Sequence, residues 1–450
     1  MQRYFLLALT CLSFLSSCQQ DPEAPVQKKS LLDQQLAQAL QAASRGKGIS
    51  FFRLPDSDDF SQIPQDPNNF LTNEKVALGK LLYHETALAV KSKFSEGMRT
   101  YSCASCHHAQ AGFQAGTRQG VGDGGTGFGV AGEGRKHNIL FPTDSIDVQP
   151  VRSPSTLNSA YQVVQLWNGQ FGATGPNEGT ENQWKKGTPI ETNHLGFEGV
   201  ETQAIAGLTV HRLNCDTALI AHTAYKQYFD RAFSQTNEKE RYALQQAGLA
   251  IAAYERTLLA NQAPFQRYLR GETAAISEHQ KQGALLFFGK ANCTSCHTGP
   301  ALNSMEFHAL GMGDLLGDGV HRNTTSDPAH RGRSSFTGKS EDDYKFKVPQ
   351  LYNLKDSPFY GHGGTFHSVQ EVIMYKNEAD PENAVVPDSQ LAKEFVPLNL
   401  NEEEVQQLTD FVENALYDPH LSRYVPDSLP SGLCFPNNDA QTRTDLNFGE

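Results

Sequence analysis

Apolar residues recur at helical spacing in several stretches of the chain, and most of these stretches begin at a residue that favours a helix N-terminus. Thr72, Ser277 and Asn401 are such N-cap residues, and the last two are followed three positions later by Gln or Glu, which completes a capping box. The apolar positions that define the helical faces are Leu32, Leu36 and Leu40; Val76 and Leu82; Ala247, Ile251, Tyr254 and Leu258 within 237–260; and Val405, Leu408, Phe411, Val412 and Leu416. No stretch alternates apolar and polar residues convincingly, so the predicted fold class is mainly α with long ordered loops.

The N-terminus has the pattern of an export signal. Arg3 precedes an apolar run over 4–15, which is too short for a convincing membrane span. Leu15-Ser16-Ser17-Cys18 resembles a bacterial lipobox, which would be cleaved before Cys18 and lipidated on its thiol; the alternative is an ordinary signal peptide. We therefore expect a signal at 1–17, then a tether and short helix over 18–49, and an exported protein in the periplasm or cell envelope, anchored through lipid at Cys18.

Composition excludes some partners. The 450 residues suffice for two or three domains, and 38 Gly with 22 Pro indicate many turns. The net charge is -12 and no basic stripe is present, so nucleic acid is not an expected partner. Membrane contact is expected only through the lipid anchor.

The most specific chemical signal is a C-x-x-C-H pentapeptide that occurs at 103–107 and again at 293–297. In this motif the two thiols add to the vinyl groups of a haem and the histidine becomes the proximal ligand of the iron. A zinc site or a redox dithiol would need only the cysteine pair, so the histidine in both copies favours two covalent haems c. The residues that would hold them are Cys103, Cys106 and His107 in the first motif and Cys293, Cys296 and His297 in the second.

The sequence before each motif indicates an internal repeat. Gly79, two leucines and Tyr83 precede the first motif, while Gly283, Ala284, two leucines and Phe287 precede the second. This predicts two tandem cytochrome c-like haem domains, at 50–275 and 276–430, followed by a tail at 431–450. The glycine on each helix is interpreted as a place where the backbone approaches a flat ring.

Two cysteines remain outside the motifs and the signal. Cys215 and Cys434 can pair in an oxidising compartment, or they can be two buried free thiols. The sequence leaves both alternatives open.

The order of several short segments around the two motifs resembles the bacterial di-haem cytochrome c peroxidase family, which includes the MauG-like enzymes. The resemblance covers residues 50–430. The segments that carry it are 63–67 (IPQDP), 71–76 (LTNEKV), 153–158 (SPSTLN), 166–169 (LWNG), 203–204 (QA), 307–311 (FHALG), 348–353 (VPQLYN), 357–358 (SP) and 361–364 (GHGG). The resemblance implies that the first haem is the peroxide site and that the second stores an electron.

The resemblance also implies roles for residues between the motifs. Trp167 takes the position of the inter-haem tryptophan, a bridge for electrons, although a buried core indole is the other interpretation. Gln203 takes the position of a distal-pocket glutamine. The distal glutamate position falls on Leu213, so His211 or Arg212 nearby would replace it, and His211 is the better acid–base group at neutral pH; a surface pair is the alternative.

The distal ligand of the second iron is methionine in the peroxidases of this family and tyrosine in the MauG-like enzymes. Counting from the Ser-Pro at 357–358 selects Tyr375, and Met374 is the second choice. Counting from His362 selects Lys376, because the loop carries an extra residue, and Met312 is a further candidate.

Two departures from the family pattern concern ions and resting ligands. The family often binds calcium between its haems through an asparagine, but Arg152 stands there, and a cation cannot ligate calcium. Calcium is thus an uncertain cofactor, and Arg152 is a candidate partner of the haem propionates. The glycine-rich loop at 112–134 holds no histidine to occupy the first iron at rest, so we expect an open first iron.

The predicted function is therefore a di-haem cytochrome c peroxidase that reduces hydrogen peroxide to water with electrons from a small redox protein, either a cytochrome c or a cupredoxin. A MauG-like oxidase that acts on a protein or small molecule is one alternative, and a non-enzymatic di-haem electron carrier is another. A homodimer is possible on sequence grounds.

Overall fold

Helices dominate residues 30–449, the part of the chain that the computed structural model describes. They are α1 (Leu31–Ala43), α2 (Asn73–His84), α3 (Gly199–Val210), α4 (Thr217–His222), α5 (Tyr225–Ala232), α6 (Glu238–Arg241), α7 (Leu244–Arg256), α8 (Pro264–Leu269), α9 (Glu278–Phe288), α10 (Ser334–Thr337), α11 (Val369–Glu378), α12 (Glu402–Asp410) and α13 (Ala440–Asp445). Within this range no helix is long and apolar enough to cross a bilayer. The mainly helical prediction is confirmed, whereas the predicted signal and Cys18 lie outside the described residues.

Strands contribute little to the fold. Strands β1 (Gly125–Thr126) and β2 (Lys136–His137) form one antiparallel pair, and β3 (Phe307–His308) and β4 (Phe346–Lys347) form another. Each pair lies in the loops that follow one C-x-x-C-H motif. Their place in the chain is the first structural sign that the two halves are built alike.

The predicted helix starts are correct. The side chains of Thr72, Ser277 and Asn401 each accept a hydrogen bond from the backbone N–H three residues later. The single long helix predicted over 237–260 is wrong, because α6 ends and α7 begins within it. Ala243 has an extended backbone between them, and the hydroxyl of Tyr242 donates to Asp230 on α5 at 2.6 Å. A tertiary contact thus breaks a continuous helical pattern.

Each haem motif is preceded by a helix that crosses a second helix at very short range. A Cβ atom on Gly79 of α2 would lie 1.9 Å from the carbonyl oxygen of Ala250 on α7. A Cβ on Gly283 of α9 would lie 2.0 Å from the carbonyl oxygen of Gln407 on α12. The interpretation of these glycines as approaches to a flat ring is therefore wrong: they allow two helix backbones to touch.

The repeat continues beyond these helices into the loops. Asn158 and Asn353 both have a left-handed backbone, with φ of 58° and 55°, and each begins a short 3-10 helix. Seven residues after each asparagine a β-bridge closes a small loop, between Gln165 and Phe171 in the first half and between Tyr360 and Phe366 in the second. The two halves are therefore related copies over much more than the motif itself.

The two ends of the described chain pack on opposite halves. Near the N-terminus, Asp33 on α1 forms a buried ion pair of 2.7 Å with Lys281 on α9 of the second half. Residues 431–449, predicted as a tail, pack on the first half instead, and we call them the C-terminal strap. The hydroxyl of Ser102, next to the first motif, donates to the carbonyl of Pro436 at 2.9 Å.

The two cysteines outside the motifs in residues 30–449 do not pair. Cys215 is partly buried and Cys434, in the C-terminal strap, is buried, and both are free thiols. Burial raises the pKa of Cys215 to about 12 and that of Cys434 to about 11. High thiol pKa values disfavour the thiolate and so make both cysteines poorly reactive.

Candidate functional site

The two C-x-x-C-H motifs adopt the same local geometry. Each begins with one turn of 3-10 helix, at Cys103–Ser105 and at Cys293–Ser295. The backbone N–H of His107 donates to the carbonyl of Cys103 at 3.1 Å, and that of His297 donates to Cys293 at 2.9 Å. The turn brings the two thiols and the histidine of each motif together, as covalent attachment of one haem requires.

The second motif opens onto a cavity of about 300 Å³. Both thiols of the motif and His297 line it, together with mainly apolar side chains. His297 Nδ1 lies 3.0 Å from the carbonyl of Leu302 and 3.1 Å from that of Pro349, so Nε2 is the nitrogen left for a metal. Burial lowers the pKa of His297 to about 4, which keeps the ring neutral and able to ligate iron.

The first motif is enclosed by the glycine-rich loop. A Cβ on Gly120 would lie 3.0 Å from the sulfur of Cys106, and one on Gly132 would lie 2.2 Å from His108 Nε2. Burial lowers the pKa of His107 to about 4, although backbone carbonyls of Phe113 and Pro154 oppose the shift. His107 is therefore a neutral ring in a buried site, like its counterpart in the second motif.

His211, predicted near this first site, forms a pair with a carboxylate. His211 Nδ1 lies 2.7 Å from Asp147 Oδ2, and the carboxylate is buried whereas the ring is partly exposed. Burial disfavours the charged ring, but the charge and hydrogen bond of Asp147 outweigh it and raise the pKa of His211. The charge of His211 in turn lowers the pKa of His107, which places the two rings within electrostatic range.

Gln203 shares one helix face with this pair. A Cβ on Gly207 would lie 3.3 Å from Gln203 Nε2 and 4.0 Å from His211 Cδ2, so the glycine leaves a gap between the two polar groups. Leu213, at the position of the family glutamate, is buried and apolar. The structure therefore brings Gln203 and His211 together, and the carboxylate comes from Asp147, which the sequence analysis did not single out.

Arg212, the other candidate next to His211, is structural. Its guanidinium donates to Asp123 Oδ2 at 2.6 Å and to the carbonyl of Ser145 at 2.9 Å. The ion pair with buried Asp123 holds the segment that follows α3 to the glycine-rich loop. Arg212 is therefore not available to a small substrate.

Trp167 lies at the contact between the two halves. Its indole Nε1 donates to the carbonyl of Arg152 at 2.8 Å, and its ring lines the cavity of the second motif. In the repeat, Trp167 corresponds to His362, since each lies nine residues after the left-handed asparagine of its half. The backbone N–H of Arg152 donates to His362 and that of Lys347 donates to Trp167, both at 2.8 Å. The hydrogen bonds that join the two halves at these residues are thus nearly symmetric.

Arg152 fills a cage of oxygen atoms. Its guanidinium donates to the carbonyls of Thr117 at 2.8 Å, Ala115 at 3.1 Å and Arg118 at 3.3 Å, to Gln114 Oε1 at 3.3 Å and to Ser357 Oγ at 2.5 Å. Carbonyl and amide oxygens are calcium ligands, so the guanidinium occupies the kind of environment that a calcium ion would take. These donors are satisfied by the protein itself, which weakens the predicted role of Arg152 as a propionate partner.

A second buried cation, Lys347, occupies the equivalent position in the other half. Its ammonium contacts Gln162 Oε1, and burial lowers its pKa to about 7. Neither Lys347 nor Arg152 forms an ion pair with a carboxylate anywhere in residues 30–449, although both line the cavity. The guanidinium of Arg152 is already satisfied by its oxygen cage, so Lys347 is the cation that an anion such as a haem propionate would stabilise. The residues present therefore fit a haem c at the second motif.

The two predicted distal ligands on α11, Tyr375 and Met374, both lie outside the lining of the cavity. The hydroxyl of Tyr375 donates to the carbonyl of Leu310 at 2.5 Å, and the ring packs between Phe366 and Phe395. The side chain of Met374 is on the solvent side, 43% exposed. Neither residue lines the cavity. Lys376, the alternative given by counting from His362, does line it, and so does Met312.

Comparison with known proteins agrees with this geometry. The family model described as "Di-haem cytochrome c peroxidase" matches residues 73–274. The "Methylamine utilization protein MauG" of Methylorubrum extorquens is 27% identical over 370 residues, which cover 82% of this chain and 84% of that protein. The "Cytochrome-c peroxidase IdrP1" of Pseudomonas sp. (strain SCT) is 29% identical over 374 residues, covering 78% and 83% respectively.

Solved structures show the same fold. The crystal structure of a MauG-like protein associated with microbial copper homeostasis superposes with a TM-score of 0.58 at 22% identity, over 83% of this chain and 98% of that one. The di-haem peroxidase BthA from Burkholderia thailandensis E264 gives a TM-score of 0.52 at 16% identity, over 79% and 89%.

Proposed function

Because this chain belongs to the di-haem cytochrome c peroxidase family, which also includes MauG, we propose that it reduces hydrogen peroxide to water at a haem held by Cys103, Cys106 and His107. Its curated relatives are oxidoreductases, and both peroxidases and MauG are among them. The observation that carries the proposal is the 2.7 Å contact between His211 and Asp147, within electrostatic range of His107. An electron carrier has no use for such a pair.

The overall reaction joins one hydrogen peroxide, two protons and two electrons to give two waters. A bound haem supplies the redox-active iron. His211 provides proton transfer: Asp147 accepts at Nδ1 and stabilises the charged ring, so Nε2 is left to donate a proton to the oxygen that departs. The amide of Gln203, on the same helix face, is placed to hold peroxide by hydrogen bonds.

Electrons would enter at the second site and cross between the halves. Trp167 lines the second cavity and its indole is bonded to Arg152, so it is held rigidly in the region between the two motifs. The donor we propose is a small basic redox protein, a cytochrome c or a cupredoxin, because the net charge of -12 favours encounter with a positive surface.

A MauG-like oxidase is the second candidate, since MauG is among the relatives at 27% identity over most of both chains. The two candidates differ in what loses electrons. A peroxidase oxidises its donor protein, two electrons for each peroxide, whereas a MauG-like oxidase withdraws them from a different protein or small substrate.

The test uses purified protein whose mass shows two haems per chain. Peroxide consumption and donor oxidation are measured together, with reduced cytochrome c and reduced cupredoxin as separate donors. Two donor electrons lost per peroxide supports the peroxidase. Peroxide consumption without donor oxidation supports the oxidase. If peroxide leaves the visible spectra of the oxidised and half-reduced protein unchanged, both candidates are wrong.

The exported location remains part of the proposal. Leu15-Ser16-Ser17-Cys18 motivates a lipid anchor at Cys18, and haem attachment through C-x-x-C-H suits an exported chain. Cys18→Ser should release the protein from membranes or block its maturation. A variant that stays membrane-bound with normal processing would contradict the anchor.

A further inference from the structure

One face of α11 forms a wall of the cavity at the second motif. Val369, Val372, Ile373 and Lys376 on that helix all line the cavity, and Lys376 is the only polar side chain among them. Their spacing of three and four residues places them on one side of the helix. An amine is thus presented to the site by a helix whose other contributions are apolar.

The amine of Lys376 has no protein partner to explain its position. Within residues 30–449 its Nζ makes no hydrogen bond or ion pair, and its nearest aromatic contact is the Phe395 ring, 5.7 Å from Nζ to the centroid. Burial lowers its pKa, while the thiols of Cys296 and Cys293 and the carboxylate of Glu394 oppose the shift.

Lys376 and the proximal histidine share one site. The Lys376 amine and the His297 ring both line this cavity. His297 is fixed through Nδ1 by two backbone carbonyls, which leaves its Nε2 free. The Lys376 amine is another nitrogen on this cavity without a partner in residues 30–449.

Most other potential ligands around the cavity have partners. His330 is the exception, because both of its ring nitrogens are buried without a hydrogen bond to the described part of the chain and Nδ1 lies 3.9 Å from Asp314, so it is a rival nitrogen ligand that the experiment must test. His362 Nε2 lies 3.1 Å from Asp314, and its ring stacks on Phe346 with centroids 3.7 Å apart. His308 Nε2 contacts Cys296 and Glu306. Met312 is the remaining soft ligand, but its sulfur sits against Gly361, 3.1 Å from where a Cβ would be.

We propose that the ε-amine of Lys376 is the sixth ligand of the iron of the second haem, opposite His297. This rests on the proposed function only in that a haem occupies the second motif. On binding, the ammonium releases one proton to solvent and the nitrogen lone pair forms the bond to iron, so no electron is transferred. An amine lowers the reduction potential relative to a thioether, and two filled axial positions suit an electron store.

The experiment uses the oxidised di-haem protein and reads the ligands by electron paramagnetic resonance and near-infrared magnetic circular dichroism. Lys376→Met should convert the low-spin signal of one haem from the amine type to the thioether type. Lys376→Ala should convert that haem to high spin, and added ethylamine should restore the low-spin signal. Lys393→Met, at a lysine whose side chain is 90% exposed, is the matched control and should leave both signals unchanged.

Further variants decide against the proposal if it is wrong. Should Met312→Leu or His330→Ala remove the low-spin signal while the Lys376 variants keep it, the residue changed in that variant is the ligand. A spectral change in Tyr375→Phe with silent Lys376 variants would assign tyrosine. Mass spectrometry will show whether Lys376→Ala has lost the second haem. If it has, the spectrum of Lys376→Met alone decides whether Lys376 is the ligand. Peroxide reactivity is measured separately, so failure of the proposed peroxidase leaves the ligand assignment standing, and the reverse also holds.

Discussion

The indole of Trp167 meets the imidazole of His362 edge to face, with ring centroids 6.5 Å apart at an interplanar angle of 70°. The two rings occupy equivalent positions of the internal repeat, and each is fixed by a backbone hydrogen bond from the opposite half. They therefore form an aromatic contact between the two halves, where the proposed electron path would cross.

Trp167→Phe should slow electron transfer between the haems. The change shortens the ring system and removes the hydrogen bond to Arg152, and we expect a loss of about tenfold, equivalent to ~1.4 kcal/mol of barrier. Stopped-flow mixing of the half-reduced protein with peroxide measures the rate. Trp184→Phe is the matched control, because that indole is buried against Thr180 instead. Equal rates in all three proteins would exclude Trp167 from the path.

His211→Ala should slow cleavage of peroxide by about 10²–10⁴-fold, the usual value of general acid–base catalysis. Both haems should remain attached, because His211 is not part of either motif. Rapid mixing of the enzyme with peroxide gives the rate directly. His279→Ala is the control, since that ring also pairs with an aspartate but on the surface of the second half. A normal rate in His211→Ala would remove this residue from the mechanism.

Asp147→Asn should move the pH profile of peroxide cleavage. Asp147 raises the pKa of His211, so the charged ring that donates the proton persists to higher pH and activity falls as pH rises through that pKa. Without the carboxylate the pKa falls, and the alkaline limb should shift to lower pH. By the same linkage, the stability that the pair contributes is complete below the unfolded pKa and is lost above the folded one. An unmoved limb would show that another group titrates.

Chelation of calcium should leave the protein unchanged. Arg152 takes the oxygen cage between the halves, so EGTA should alter neither the haem spectra nor the midpoint of thermal unfolding. Arg152→Met, in contrast, leaves several buried carbonyls unpaired, at about 1–3 kcal/mol each. The exposed Arg231→Met provides the control for loss of a guanidinium. Destabilisation by EGTA would contradict this account of the site.

Asp439→Ala should destabilise the first half. Asp439, in the C-terminal strap, forms a buried ion pair of 3.1 Å with Arg135, the residue that follows the glycine-rich loop, and breaking a buried pair costs about 3–5 kcal/mol. Urea unfolding followed through the haem spectrum measures the loss. Glu272→Ala breaks an exposed pair with Arg267 and should cost about 0–1 kcal/mol. Equal costs would mean that the strap is not fixed through Asp439.

The parts of this protein that sequence predicts well are those fixed by neighbours in the chain. The C-x-x-C-H turns, the caps at Thr72 and Ser277 and the repeat all depend on residues a few positions apart. Fold class follows from the same local signals. The break at Ala243 was missed because it depends on a contact between Tyr242 and another helix, which no local pattern contains.

The parts that sequence predicts poorly depend on distant pairs or on helix phase. Asp147 meets His211 from a loop 64 residues earlier, and an aspartate in a loop carries no signal by itself. On α11 a shift of one residue rotates the side chain by about 100°, which is the difference between Tyr375 in an aromatic cluster and Lys376 in the cavity. An inserted residue in the preceding loop made both counts plausible.

The N-terminal helix packs on the second half and the C-terminal strap packs on the first, and this arrangement fixes the order in which the two motifs are enclosed. Ser102 and its acceptor Pro436 are 334 residues apart, so the enclosure of the first motif waits until the strap has been made. The thiols of the first motif thus remain accessible throughout synthesis. In contrast, α1, which packs on α9 before the second motif, is already present when that motif is made. Formation of such long-range contacts is slow relative to local structure. The first motif therefore stays accessible until residues 431–449 dock.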